Sequence, residues 1–101
     1  MIVVRNVFRV KFGRSKEAIP IWKDGLALSK RLGSGMKSAR ILTDIVGDFY
    51  TIVFEATFDS LADFERSAGV LMGNAEWESW YQKAVGLVES GYREIFNVVA
   101  E

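Results

Sequence analysis

From Ile2 to Phe12 the chain alternates. Ile2, Val4, Asn6, Phe8, Val10 and Phe12 fall on one side, and Val3, Arg5, Val7, Arg9 and Lys11 on the other. A period of two predicts a strand with one buried face. Past Gly13 the period lengthens: Ser15 is a candidate N-cap with Glu17 in the first turn, and Ala18, Ile19, Trp22, Leu26 and Leu32 recur on one side of a predicted helix. Gly33-Ser34-Gly35 ends it. Pro20 lacks the N–H that a helix interior uses, so an irregular or shifted helix start is expected.

Residues 37–58 read as a hairpin around Gly47-Asp48, a pair that suits a two-residue type II′ turn. That turn sets Val46 opposite Phe49, Asp44 opposite Thr51, Leu42 opposite Val53 and Arg40 opposite Glu55, joining opposite charges on one face. The other face pairs Ile45 with Tyr50, Thr43 with Ile52, Ile41 with Phe54 and Ala39 with Ala56, nearly all apolar. Ser60 then caps a short helix carrying Leu61 and Phe64, with Asp63 as a weak capping-box partner. Gly69 to Gly73 interrupts it and reads as a packed loop or a lid. Asn74 is a second cap, after which Trp77, Trp80, Tyr81, Ala84, Leu87 and Val88 recur at helical spacing until Ser90-Gly91. A last strand alternates Tyr92, Glu94, Phe96 and Val98 against Arg93, Ile95, Asn97 and Val99.

The order strand, helix, strand, strand, helix, strand predicts an α+β domain spanning residues 1–101, with a four-stranded antiparallel sheet under helices in the ferredoxin-like manner. The second sheet face is expected to carry Val3, Val7, Leu42, Val53, Ile95 and Val99 among Arg5, Arg9, Arg40, Asp44, Glu55 and Arg93. That is too apolar to sit bare in water, so a homodimer through this face is expected.

Composition narrows the chemistry. Thirteen Lys and Arg balance thirteen Asp and Glu, so no nucleic-acid surface is expected. The apolar N-terminus is broken by Arg5, Asn6 and Arg9, so no membrane span is expected. The absence of cysteine excludes disulfides and thiolate chemistry and fits a cytoplasmic protein. The absence of histidine removes the usual neutral-pH base and the commonest haem and metal ligand, and neither a metal nor a cofactor is expected.

The opening run Asn6-Val7-Phe8-Arg9-Val10-Lys11-Phe12-Gly13, the turn Phe58-Asp59-Ser60-Leu61-Ala62-Asp63-Phe64 and the closing Arg93-Glu94-Ile95 resemble the dimeric α/β barrel superfamily. The likeness covers the whole chain and extends to the antibiotic-biosynthesis monooxygenases, their haem-degrading relatives and the NIPSNAP-like proteins. It implies a dimeric α/β barrel. In the haem-degrading relatives an asparagine seven residues before the glycine that ends strand one lies in a pocket between sheet and helices, and Asn6 and Gly13 match that spacing. The relatives' tryptophan aligns near Ser67 and their haem-ligating histidine near Tyr81, so the likeness does not extend to haem degradation.

Asn6 is therefore the leading candidate. An amide on an apolar face costs several kcal/mol unless its hydrogen bonds are met. Either Asn6 is a core amide satisfied by a helix end, backbone or buried water, or it orients an oxygen of a bound aromatic substrate. Tyr81 is the second catalytic candidate, as a hydrogen-bond donor. Trp22, Tyr50, Phe54, Ser67, Met72, Trp77 and Trp80 are candidate substrate-binding residues, the aromatic ones equally readable as core at their helical spacing. Two functions are expected of such a chain: a cofactor-independent monooxygenase acting on a small aromatic or quinol-like substrate, or a non-catalytic module that holds a small hydrophobic ligand.

Overall fold

Strand β1, Ile2–Val10, is the hub of the molecule. In the computed structural model, which describes all 101 residues, it pairs antiparallel with β3, Thr51–Phe58, on one side and β4, Val88–Asn97, on the other. Strand β2, Ser38–Thr43, completes the order β2-β3-β1-β4. Helix α1, Ser15–Arg31, packs on β2 and β3, α2, Leu61–Met72, on β3, and α3, Ala75–Val85, against α1 and α2. The result is two layers with a thickness of 18 Å along the shortest axis. Between them lies an apolar core in which Val4, Trp22 and Ile52 are almost fully buried, the helix-facing half of the alternation seen in the sequence.

The helix ends follow their capping residues. The Ser60 hydroxyl accepts from the Asp63 N–H, and the Asn74 carbonyl oxygen accepts from the N–H groups of Glu76 and Trp77, satisfying donors that a helix start leaves free. Ser15 is the first helical residue, not a cap, and α1 runs through Pro20 without ending. The stretch Gly69 to Met72 is the last turn of α2, so only Gly73 and Asn74 interrupt the helices and no loop stands there as a lid.

The hairpin register is the one predicted: Arg40 faces Glu55, Ile41 faces Phe54, Leu42 faces Val53 and Thr43 faces Ile52. The turn is not. Asp44 and Thr51 still meet, with the Thr51 N–H donating to Asp44 Oδ1 at 2.9 Å, but residues 45–50 bow out as a wide loop. Ile45 and Val46 are left 97% and 94% exposed, and Tyr50 takes a φ of 61°, in the left-handed region.

Strand β4 departs from its predicted facing. It begins at Val88, so Ser90-Gly91 lies inside the strand, with a register shift opposite Arg9 and Val10. Asn6 faces Arg93 and Val4 faces Ile95, which puts Arg93 and Ile95 on the helix side. Tyr92, Glu94 and Phe96 take the outer face, opposite Val7, Arg5 and Val3. The aromatic pair suggested a core facing, but both rings stand on an edge strand and remain exposed.

Neither the barrel nor the homodimer predicted from the sequence is supported. The sheet is open, with β2 and β4 as its two edges, and does not close into a barrel. Two of the outer-face valines on which the homodimer was predicted are already covered within one chain. Val7 and Val53 are 8% and 6% exposed within one chain. The charges beside them pair internally: Arg40 Nε lies 2.6 Å from Glu55 Oε2, Arg5 Nε 3.3 Å from Glu55 Oε1, and Arg5 Nη1 3.9 Å from Glu94 Oε2. One row of alternating charge thus crosses all four strands.

Candidate functional site

Beneath α2 and α3 the helix layer leaves a cleft of about 780 Å³ over β1, β3 and β4. Eighteen of the twenty-four residues that border it are hydrophobic, which makes it a site for apolar matter with a few placed polar groups. Val4, Asn6 and Phe8 of β1 contribute to its floor, with Phe54, Ala56 and Phe58 of β3.

Aromatic rings form its walls as two continuous series. On one side Phe8 meets Trp22 edge-on at 5.4 Å, Trp22 meets Trp80 at 6.1 Å, and Trp80 lies over Trp77 at 4.6 Å. On the other, Phe58 meets Phe64 at 5.6 Å, and the Arg93 guanidinium stands 5.2 Å from the Phe64 ring centre, within cation–π range. Trp80 is seated by Gly25 in the middle of α1. A Cβ at Gly25 would overlap the indole ring, and the bare backbone lets the Trp80 N–H donate to the Ile21 carbonyl at 2.6 Å. At a second glycine, Gly91, an added Cβ would press on the Val7 carbonyl oxygen and on the edge of the Phe8 ring across the β1–β4 pair.

Asn6 borders this cleft and is only partly buried. Its carbonyl oxygen accepts from Arg93 Nε at 2.6 Å, so the group that meets the amide is a cation from the neighbouring strand, not a helix end. Of the other sequence candidates, Tyr81, Trp22, Phe54, Ser67, Met72, Trp77 and Trp80 also border the cleft. Trp22 is 1% exposed, and its indole N–H is buried with no partner. Met72 and Tyr81 are 82% and 48% exposed, at the mouth. Tyr50 is not in this group. It sits beyond the end of β1, where its ring meets Phe12 at 4.6 Å.

Gly25 was not singled out in the sequence, and Arg93 was read there as one of the charges of the outer sheet face. Arg93 carried a signal, since its alternation partner across β1 is Asn6 once β4 is given its true facing. Gly25 carried only the oddity of a glycine within a helical period, a choice that costs helix stability unless a neighbour needs the space. No three acidic side chains converge as a metal site. The two ion pairs that shift titration lie on the surface: hydrogen bonding to Arg14 lowers the Glu17 carboxyl, and hydrogen bonding to Arg31 lowers the Glu76 carboxyl. The second pair ties α1 to α3 beside the cleft wall.

Topology and site geometry together can be set against known proteins. An uncharacterised NIPSNAP domain protein from Burkholderia xenovorans superposes with a TM-score of 0.84 at 20% identity, over 99% of this chain and 96% of that one. The chain has the fold of the NIPSNAP and antibiotic-biosynthesis-monooxygenase proteins. A putative antibiotic biosynthesis monooxygenase from Nitrosomonas europaea aligns at a TM-score of 0.77 and 17% identity, over 99% of this chain and all of that one. A mutant of SnoaB, a cofactor-independent oxygenase from Streptomyces nogalater, aligns at a TM-score of 0.76 and 15% identity, over 99% of this chain and 94% of that one. No family model matches the sequence, and no curated protein matches it. No helix is long and apolar enough to cross a membrane.

Proposed function

We propose that the cleft binds a small aromatic or quinol-like molecule and oxygenates it without a cofactor. The observation that carries this reading is the Asn6 amide on the floor of an otherwise apolar, aromatic-walled cleft. With its carbonyl held by Arg93, Asn6 keeps its N–H₂ group for an oxygen of the ligand. A donor placed there favours the ionised form of a phenolic or enolic substrate, because charge that develops on oxygen is met by a preorganised dipole in a site of low polarity. The resulting carbanion passes electrons to dioxygen. One oxygen atom ends as a new carbonyl on the ring carbon and the other leaves as water, so an activated CH₂ and O₂ become C=O and H₂O. Tyr81 at the mouth supplies a second hydrogen-bond donor. The fold shared with a cofactor-independent oxygenase is consistent with this chemistry and adds no residue to it.

The measurement is oxygen consumption with a panel of anthrones and hydroquinones. Uptake is expected with wild type and is expected to fall at least tenfold in Asn6→Ala. No uptake, or equal uptake by a folded Asn6→Ala variant, overturns the oxygenase reading. A second reading, a binding module without turnover, is favoured by one observation. Glu78, the only carboxylate bordering the cleft, is engaged by Gln82 of its own helix at 3.1 Å, and no histidine exists to serve as base. That reading expects ligand-induced thermal stabilisation with no oxygen consumed.

A further inference from the structure

Seven arginines occur in the chain, and six stand within 4 Å of a carboxylate. Arg93 is the seventh. It borders the cleft, donates through Nε to the neutral Asn6 carbonyl, and rests on the Phe64 ring. Its two terminal nitrogens have no carboxylate partner, and Arg93 remains exposed, so a ligand can reach them. With the Asn6 carbonyl oxygen turned to Arg93, the groups this corner presents to a ligand are chiefly donors: the Asn6 N–H₂ and the guanidinium N–H groups.

A corner of donors bearing one positive charge, set in apolar walls, is complementary to an anionic acceptor on a flat apolar body. The terminal guanidinium nitrogens form a fork whose spacing matches the two oxygens of a carboxylate. The Asn6 contact on Nε and the Phe64 ring beneath hold that fork in place before any ligand arrives, which lowers the ordering cost of binding. The other charged residue at the cleft, Glu78, belongs to α3 and is engaged by Gln82.

We infer that the cleft selects aromatic carboxylic acids, with the carboxylate seated on the Arg93 fork and the ring system between the tryptophan wall and Phe64. This deepens the proposed function and rests on its reading of the cleft as a small-molecule site: the substrate is a hydroxylated aromatic that also carries a carboxylate. Arg93 is then the residue that determines specificity, and Asn6 both positions it and meets the substrate.

The test compares 2-naphthoate with 2-naphthamide, which match in shape and differ in charge, by isothermal titration calorimetry on the full chain. Wild type is expected to bind the acid about tenfold or more tightly than the amide, the usual gain from a charge-assisted pair. Arg93→Gln is expected to bring the ratio near one by weakening the acid far more than the amide, and Arg93→Lys to restore part of the preference. Equal affinities in wild type overturn the inference without any variant. So does a preference that survives in a folded Arg93→Gln protein, and so does a failure of both probes to bind. An acid preference without oxygen uptake on any substrate removes the oxygenase reading alone. Uptake with no acid preference removes the inference alone.

Discussion

The two faces of the sheet treat charge in opposite ways. On the outer face, Arg40, Glu55, Arg5 and Glu94 form a row in which each cation has an anion on the next strand, and Glu55 serves two arginines at once. On the helix face, one strand step away, Arg93 meets the neutral amide of Asn6 and the Phe64 ring, and no carboxylate. In the outer row every charge has an opposite charge beside it. The inner pair is left open on its anionic side. The difference separates charge that serves folding from charge held in readiness, and the two share strands β1 and β4.

The comparison breaks most severely at the wall of the cleft. Gly25→Ala puts a methyl where the Trp80 indole lies, and since the backbone of α1 cannot retreat, the ring must leave. Stability is expected to fall by about 1–3 kcal/mol, as overpacking usually costs, and chemical denaturation followed by circular dichroism would show it. The contrast between faces is sharpened by a matched pair of substitutions. Glu55→Gln leaves Arg5 and Arg40 without their shared partner at a side chain only 14% exposed, and about 1–2 kcal/mol of stability is expected to go. Asn6→Leu removes a polar group from an apolar cleft and frees an exposed arginine, so its effect is expected within about 1 kcal/mol of zero, of either sign. A larger loss in Asn6→Leu than in Glu55→Gln would reverse the assignment of roles.

The smallest effect concerns pH. Because Arg31 lowers the Glu76 carboxyl in the folded state, the stability contributed by that pair is present above the ordinary carboxylate range and is lost as pH falls through the lowered folded-state value. Arg31→Ala is expected to flatten this acid limb slightly and leave stability near pH 7 little changed, both groups being exposed. Thermal melts between pH 3 and pH 7, roughly the carboxylate window and the plateau above it, compare the two proteins.

Much of the architecture was legible because it rests on period and pairing. The alternation of β1 and the opposition of Arg40 to Glu55 fixed the faces of three strands, since a one-residue slip would have turned valines and isoleucines outward. The fourth strand escaped the same logic. An edge strand half covered by a cleft has no fully buried face to enforce a pattern, so Tyr92 and Phe96 looked like core while Ile95 and Arg93 looked like surface. Asn6 stood out because it interrupts an apolar series, a signal local to its strand. Its partner lies 87 residues away and depends on the β1–β4 register, which no local pattern contained. The wide loop after Asp44 was hidden for a similar reason, since Gly47-Asp48 suits a tight turn equally well.

The protein also carries its own optical probe. Its three tryptophans, Trp22, Trp77 and Trp80, all border the cleft, and the chain has no others. Indole emission from this molecule therefore originates at one place, without the background of distant fluorophores that usually blurs such a signal. A molecule entering the cleft would quench or shift the whole of it, so unlabelled protein in a cuvette can report occupancy, and compounds can be ranked before any reaction is known.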